Sequence, residues 1–508
     1  MTIIRQLTIA TLVLCSACCA NASITGVVFE DANANGIKDE GEKGIAGVMV
    51  SDQKTVVLSD KEGYYQLPDA DNVIIFVTTP ADYMVSLDKD TAVPQFYKRI
   101  HLKDNGLFKA NKAKTNGNDF ALIKRDNTSD TFKVCLHSDP QTASEKHIDY
   151  YRADVIDEMA GKDYDFMVTL GDISNEALDL FPKIARAQAL AGIPNYGVIG
   201  NNDCDYDATT REQSSASYQK TYGPDYYSFD RGKAHFVALN TVFFNNDKSG
   251  YREGIDEGQL AWLKADLANV PKDKILVLMM HVPFIPFTAG DEFVNKQKLF
   301  DLLEDREGPI LAWGGHWHLN TSRHITEKDG WKGKADFNMV IVPTVCGSWW
   351  SGSYDYRGVP VTDQVDGTPN GYMEWAFDGN KYTCKFKPSA LSDDMQARIY
   401  TPEMRVSELG TTMVLANFFM APEDGKVEMA LDKEEWVPME KAENVIDPYI
   451  ISLYHEPYSN GPGWRMPLPC PHMWKAEIPE KLKGLHQVRV RATMPDGRKC
   501  IQARSFKK

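Results

Sequence analysis

Between Phe132 and His318, five apolar runs each stop at residue types that can bind a metal. They read "FKVCLHSDPQ", "FMVTLGDISNE", "YGVIGNND", "KILVLMMHVPF" and "ILAWGGHWH". Continuous apolar runs, rather than alternating ones, are the mark of strands buried on both faces. Helical periods lie between them, in "KHIDYYRADVIDEMAG", "ALDLFPKIARAQALAG" and "EGQLAWLKADLANV". The stretch from 130 to 388 is therefore expected to be a layered α/β domain. Ligands of α/β sheets gather beyond the carboxyl ends of the strands. Asp139 and Gln141, Asp172, Asn201 to Asp203, His281, and His316 with His318 occupy the five ends, so they are expected to converge on one point.

Each of these signals alone is ordinary: Gly-Asp is a common turn, and a histidine after a strand is usually a loop residue. Their joint occurrence at five ends is far more specific. Three imidazoles, two carboxylates and two amide oxygens make a mixed N/O donor set without thiolate, which suits Mn, Fe or Zn. Seven ligands exceed one tetrahedral ion and fit two divalent transition metal ions sharing Asp172. Such a pair activates water near neutral pH and clamps the oxygens of an in-line displacement at phosphorus. The chemistry expected is phosphoester hydrolysis on a small phosphorylated substrate.

The flanks differ in texture. Residues 23–125 carry short strands such as "SITGVVFE", "GVMVSD" and "NVIIFVTTP", expected to form a β-sandwich closed by the polar stretch "LKDNGLFKANKAKTNGND". Residues 389–508 return to strands such as "TMVLANFF" and "HQVRVRATMPDGRK", expected to form a second all-β domain. Before them, Arg5 precedes the apolar run "LTIATLVLCSACCA", and "ANA" ends at Ala22. That is the pattern of a leader over residues 1–22 cut before Ser23, implying a periplasmic or secreted protein, with lipid anchoring at Cys18 or Cys19 a poorer fit. No later apolar stretch reaches the ~20 residues of a membrane span. Without the leader, 55 basic residues face 71 acidic ones, which disfavours a nucleic-acid coat. No CxxC pair occurs among the six later cysteines, and Cys470 with Cys500 is the first pair to test for a disulfide.

A second metal motif lies near the start. "DANANGIKDEGE" fits the calcium-loop template D-x-N-x-N-G-x5-E, with oxygens from Asp31, Asn33, Asn35, Asp39 and Glu42 and the Ile37 carbonyl. Its flanks are strands, so it is no helix-loop-helix sensor. It resembles the calcium-stabilised loops of bacterial adhesin B-type β-domains and implies one structural Ca. A polar hairpin loop is the other reading.

Over residues 132–320 the blocks "SDPQ", "GDISNE", "GNND", "MMHVPF" and "GGHWH" resemble, in order, those of the calcineurin-like metallophosphoesterases. With "GPDYYSFDRGKAHFVALN", "GSWWSGSYDYRG" and "DGTPNGY", the chain resembles an exported bacterial branch in which two β-domains bracket the phosphoesterase. The resemblance implies a central α/β-β-α sandwich flanked by all-β domains. It also implies one metal held by Asp139, Gln141, Asp172 and His318, and another by Asp172, Asn201, His281 and His316.

Two positions depart from that pattern. Gln141 replaces a histidine, but its carbonyl oxygen can still ligate, and the ADP-ribose/CDP-alcohol pyrophosphatase-like branch also carries glutamine there. Asn202 replaces the histidine that, with the following acid, serves the leaving oxygen. An asparagine donates a hydrogen bond but no proton, so Asn202 and Asp203 form an altered catalytic pair. Substrates with good leaving groups are the expected consequence: phosphodiesters, pyrophosphate-type bonds or activated monoesters. His137 or His147 could replace the acid, though structural roles suit both better. Trp349 and Trp350 are candidates for a substrate rim, with Trp313, Trp317, Tyr354 and Asn370 as weaker ones. The alternative is a surface binding protein on a weakened phosphoesterase fold. Oligomeric state is open from sequence.

Overall fold

The computed structural model describes residues 23–101, 117–245, 250–286, 292–404, 410, 412–454, 467–494 and 496–508. The expected leader, its cleavage point and most of the polar stretch after Leu102 lie outside the described residues. Among the described residues no helix is long and apolar enough to cross a membrane.

The central domain is built on two sheets. We number its strands β1 (Thr131–His137), β2 (Phe166–Leu170), β3 (Asn195–Val198), β4 (Tyr227–Arg231), β5 (Ala234–Leu239), β6 (Ile275–Met280), β7 (Ile310–Gly314), β8 (Thr321–His324), β9 (Phe337–Ile341), β10 (Gly371–Asp378) and β11 (Lys381–Pro388). One sheet runs β3-β2-β1-β10-β11 and the other β4-β5-β6-β7-β9-β8. The motif strands are parallel within each sheet: β1 with β2, β2 with β3, and β6 with β7.

The period of two explains why these runs are apolar throughout. Val134, Leu136, Phe166, Val168 and Leu170 pack into the core they share with Phe236, Met279, Trp313 and Trp375 of the two sheets. Their neighbours Cys135 and Met167 point the other way and join Ile148, Tyr151, Ile156 and Ile184 of the covering helices. Those helices are α1 (Glu145–Tyr151) and α2 (Phe181–Ala189). α1 starts at Ser144, whose side chain accepts the His147 N–H, and runs on through one wide turn, Arg152–Ile156, into Asp157–Met159. α3 (Glu257–Leu267) and α4 (Lys296–Leu303) bring Leu260, Leu263, Leu299 and Phe300 into the core of the second sheet. The result is an α/β-β-α sandwich.

The N-terminal strands form two four-stranded sheets, one around Ser23–Glu30 and one around Met49–Ser51 and Val73–Val77. They meet the central domain along β4, where Thr78 Oγ1 lies 2.9 Å from Ser228 Oγ and the Asp230 N–H donates to the Thr79 carbonyl at 2.9 Å. The C-terminal strands form two further four-stranded sheets, around Met413–Phe418 and Leu485–Thr493. Cys470 and Cys500, the first pair to test for a disulfide, are not bridged. Cys470 is buried beside Tyr400, Leu415 and Met473, whereas Cys500 lies on the other C-terminal sheet opposite Ala492, and both are free thiols.

Candidate metal centre

All seven expected ligands come together where the carboxyl ends of the two sheets' strands meet. Asp139 and Gln141 follow β1, and their N–H groups donate to the carbonyls of Gly171 (3.1 Å) and Asp172 (2.9 Å). Asp172 follows β2, and Asn201 sits in a short turn, Asn201–Asp203, after β3. His281 ends β6, and His316 and His318 follow β7. Five of the seven, Asp139, Gln141, Asp172, His316 and His318, have φ between 40° and 73°. Only a few per cent of non-glycine residues adopt that region, at ~1–3 kcal/mol each, and such strain clusters at functional sites.

Contacts among the side chains fall into two groups that share Asp172. In one, Gln141 Nε2 lies 3.0 Å from Asp172 Oδ2 and 3.1 Å from His318 Nε2, which is 3.6 Å from Asp139 Oδ1. In the other, His281 Nε2 lies 3.1 Å from Asn201 Oδ1, 3.2 Å from His316 Nδ1 and 3.3 Å from Asp172 Oδ1. The ligand atoms of Asp172, His281 and His316 are all within 4.8 Å of one another.

The chemistry of the donor set fits cations at this place. Asp139 and Asp172 are almost wholly buried, and among the described residues their ion-pair partners are histidines alone. Asp139 Oδ1 and Gln141 Oε1 are buried without a hydrogen bond, and such groups are costly unless a partner satisfies them. The field of the two carboxylates reaches His281: burial opposes its imidazolium, yet Asp172 and Asp139 push its pKa up to about 10. Burial and the neighbouring His281 push His316 down to about 3. His281 and His318 donate Nδ1–H to the carbonyls of Leu170 (2.8 Å) and Gly347 (2.6 Å). These bonds keep the proton on Nδ1, so that Nε2 is the nitrogen that would ligate a cation in place of its own proton.

Two glycines of the motifs are required by close approach. A Cβ on Gly171 would stand 2.7 Å from the His281 ring, and one on Gly200 would stand 2.1 Å from Asp172 N and 2.3 Å from its Oδ1.

Asn202 faces the shared carboxylate: its N–H donates to Asp172 Oδ1 at 2.8 Å and its Nδ2 to Oδ2 at 3.0 Å. Asp203 lies behind the turn, with a different role from the one expected of it. Its carboxylate accepts the N–H groups of Gly200 (2.9 Å), Ile173 (3.1 Å) and Ser174 (2.9 Å), tying the loops after β2 and β3 together. Burial and Asp172 push its pKa up to about 7. Having no imidazole to orient, it acts as a brace.

His137 is buried 2.6 Å from the Tyr151 hydroxyl and 3.0 Å from Thr169 Oγ1, and burial lowers its pKa to about 3. It is a core residue. His147 packs on Tyr150 and Trp350 at α1. Of the rim candidates, Trp349 stacks on the His318 ring with centroids 3.8 Å apart. Trp350 is buried and donates to the Pro140 carbonyl at 2.8 Å, holding the loop between Asp139 and Gln141. Trp317 is partly buried against the core. Trp313 is a core residue beside Trp375, and Asn370 is an internal strut to Asp154 (2.8 Å) and the Val345 carbonyl (3.0 Å). Neither belongs to a rim, and Tyr354 is exposed, 3.2 Å from Lys146 Nζ.

Two partners of the site lie outside the five strand-end blocks, although one of them, Gly347, opens the stretch "GSWWSGSYDYRG". Glu253 Oε1 lies 3.8 Å from His316 Nε2, brought there by the hairpin of Val242–Phe244 and Tyr251–Glu253. The Gly347 carbonyl that orients His318 comes from a loop after β9. Neither has a periodicity or spacing that points to it.

The N-terminal loop folds on its own hydrogen bonds. Asp31 accepts from the N–H groups of Asn35 (3.2 Å) and Gly36 (2.7 Å), and Asn33 and Asn35 both donate to Asp39 Oδ2 at 2.8 Å. Glu42 accepts from the N–H groups of Ala32 and Asp39, each at 2.9 Å. The Ile37 side chain is exposed.

Three family models match in succession. They are described as the N terminal of calcineurin-like phosphoesterase (residues 32–121), calcineurin-like phosphoesterase (128–320) and the C terminal of calcineurin-like phosphoesterase (340–499). No curated protein matches the sequence. Among solved structures, the purple acid phosphatase PPD1 of yellow lupin (Lupinus luteus) is 13% identical, with 72% of this chain and 66% of that chain covered and a TM-score of 0.37. This chain thus spans slightly less than two thirds of the lupin protein. GAP50, described as the anchor in the inner membrane complex of Plasmodium, is 14% identical over 50% of this chain and 84% of that one, with a TM-score of 0.30. A metallophosphoesterase from Sphaerobacter thermophilus is 13% identical over 51% and 89%, with a TM-score of 0.24.

Proposed function

Because the chain belongs to the calcineurin-like phosphoesterases and is a metal-dependent phosphoester hydrolase, we propose that it is an exported enzyme with a dinuclear centre. It cleaves phosphodiesters, pyrophosphate-type bonds or activated monoesters. The observation that carries this reading is the division of seven side chains into two groups sharing Asp172. Asp139, Gln141, Asp172 and His318 would hold one ion, and Asp172, Asn201, His281 and His316 the other, the metals being Mn, Fe or Zn. When bound, such ions supply Lewis-acid polarisation of the phosphoryl oxygens and a water made nucleophilic near neutral pH.

This chain's own residues set what else can happen. Asn202, held against Asp172, offers a hydrogen bond to an oxygen of the substrate and no proton. The departing oxygen must therefore leave as a weak base, and sugar alkoxides are excluded as efficient leaving groups. Trp349, one face of which is stacked on His318, is the proposed contact, through its other face, for a flat ring such as a base or aryl group on the substrate. In the N-terminal domain, Asp31, Asn33, Asn35, the Ile37 carbonyl, Asp39 and Glu42 are the proposed ligands of one structural Ca.

The experiment starts from protein recovered from the periplasm or medium of the producing cell, where an N-terminus at Ser23 checks export. Loaded with Mn or Zn, it is expected to turn over bis-p-nitrophenyl phosphate and p-nitrophenyl phosphate, and a hexose monophosphate at least about 100-fold more slowly. No turnover of any of them with both metals bound would leave the binding-protein reading standing instead.

A further inference from the structure

The segment between β9 and β10 that runs from Thr362 to Asn370 supplies none of the metal ligands, yet it lies between the metal centre and the C-terminal domain. On the metal side, the Val365 N–H donates to the His318 carbonyl at 3.2 Å, and Asp366 Oδ2 accepts the Asn320 N–H at 2.9 Å. Thr362 accepts the Ser348 N–H at 3.2 Å and donates its hydroxyl to the Cys346 carbonyl at 2.5 Å. It thereby brackets Gly347, whose carbonyl orients the His318 ring. On the other side, four residues of the C-terminal domain grip the same segment. Arg398 Nη2 lies 2.7 Å from Asp363 Oδ2, Asn417 Nδ2 donates to the Asp366 carbonyl at 3.1 Å, and the Leu468 N–H donates to the Val365 carbonyl at 2.9 Å. His472 Nε2 lies 3.0 Å from Asp366 Oδ2, the same oxygen that holds Asn320. Asp366, Asn417 and His472 are each 0% exposed.

We propose that the C-terminal domain positions His318 through this strap, with Asp366 and His472 as positioning residues, so that metal binding and C-terminal docking are coupled. His318 holds a left-handed backbone (φ 54°), a conformation that persists only where the surroundings over-determine it. The strap is what over-determines it: it fixes the carbonyl of His318, the N–H of Asn320 and the acceptor of the imidazole Nδ1–H. Release of the strap frees the backbone to relax and carries Nε2 away from Asp139 and Gln141. Linkage is reciprocal, so a metal that needs His318 in place stabilises the docked C-terminal domain by the same factor by which docking raises metal affinity. The inference rests on the metal centre of the proposed function and on no assumption about substrate.

Two measurements on the full chain test it, neither of them activity. In the first, hydrogen exchange of the wild-type protein is followed with and without two equivalents of Zn²⁺. Amides of Asn320, Val365 and Leu468, together with the Met413–Phe418 strand, are expected to slow on metal addition. Slowing confined to the strand ends before residue 345 overturns the coupling. In the second, His472→Gln and Asn417→Ala are titrated with Zn²⁺ by calorimetry. One of the two sites is expected to weaken about tenfold, the low end of the effect of an outer partner on a ligand, while the other holds. Unchanged affinity at both sites in a folded variant overturns the proposal. A wild-type chain that binds no metal overturns both this inference and the hydrolase mechanism, whereas two tight metals without turnover leave the coupling intact and remove only the mechanism.

Discussion

Asn202 is the residue at which this centre departs most from a proton-donating one. Its backbone N–H and one hydrogen of its side-chain amide go to Asp172, which fixes the turn and holds the amide at the edge of the cluster with its second hydrogen left for a substrate oxygen. A histidine there would add a titrating proton at the same edge. Asn202→His is therefore expected to raise turnover of an alkyl phosphate about tenfold or more and to leave that of bis-p-nitrophenyl phosphate nearly unchanged. Rates measured on both substrates decide it, since equal effects would place residue 202 away from the leaving oxygen. The adjacent Asp203 was expected to share in this chemistry by position alone. Its three backbone donors give it a mechanical task, and only the coordinates distinguish a carboxylate that faces the substrate from one that faces the chain.

At the scale of elements, the pairing of β4, β5 and α3 encloses a second histidine with a charge problem. His235, fully buried, has Nδ1 2.8 Å from Asp230 Oδ1 and Nε2 2.8 Å from Asp266 Oδ2. Lys274 pairs with Asp230 at 2.8 Å and Ser228 donates to Asp266 at 2.6 Å. Burial opposes the imidazolium, but Asp266 and Asp230 outweigh it and push the pKa up to about 9, from 6.5 in the unfolded chain. A raised pKa means that the folded state binds the proton more tightly. The stabilisation is therefore whole below about pH 6.5 and is lost as pH rises through about 9. Thermal unfolding of the wild type and of His235→Gln is expected to differ most near pH 6 and to draw together near pH 10. A gap that stays constant over that interval would remove the imidazolium from the account.

Across the whole molecule, both flanking domains are held by contacts to the central one. The N-terminal sheets dock on β4 through Thr78 and Thr79, and Phe76 packs on Trp262 of α3 with ring centroids 6.1 Å apart. An ion in the Asp31–Glu42 loop would stabilise the N-terminal domain by binding its folded form alone. Millimolar Ca²⁺ is expected to raise that domain's unfolding midpoint by a few degrees, and Asp39→Asn to abolish the rise. An identical midpoint with calcium and with chelator would make the loop an ordinary hairpin. The C-terminal sheets reach further, since the Phe419 carbonyl accepts from Asn320 Nδ2 at 2.7 Å, two residues from the proposed ligand His318.

The sequence by itself determined the five strands and what stands at their ends. Apolar continuity is a property of strands covered on both faces, and a donor set of carboxylate, amide and imidazole at successive ends is chemistry that residue types alone express. It also determined the replaced histidine at position 202, because identity at a motif position needs no coordinates. Only the tertiary structure decided which side chains turn toward the centre. Trp313 and Trp349 are both tryptophans near a motif, yet one fills the core between the sheets and the other lies on His318. Asp203 and Asp172 are both acids at strand ends, yet one braces backbone and the other joins the two ligand groups. Asp366 and His472 are 106 positions apart in the chain and share one hydrogen bond. That contact follows from the packing of one domain on another, and no local pattern or spacing encodes it.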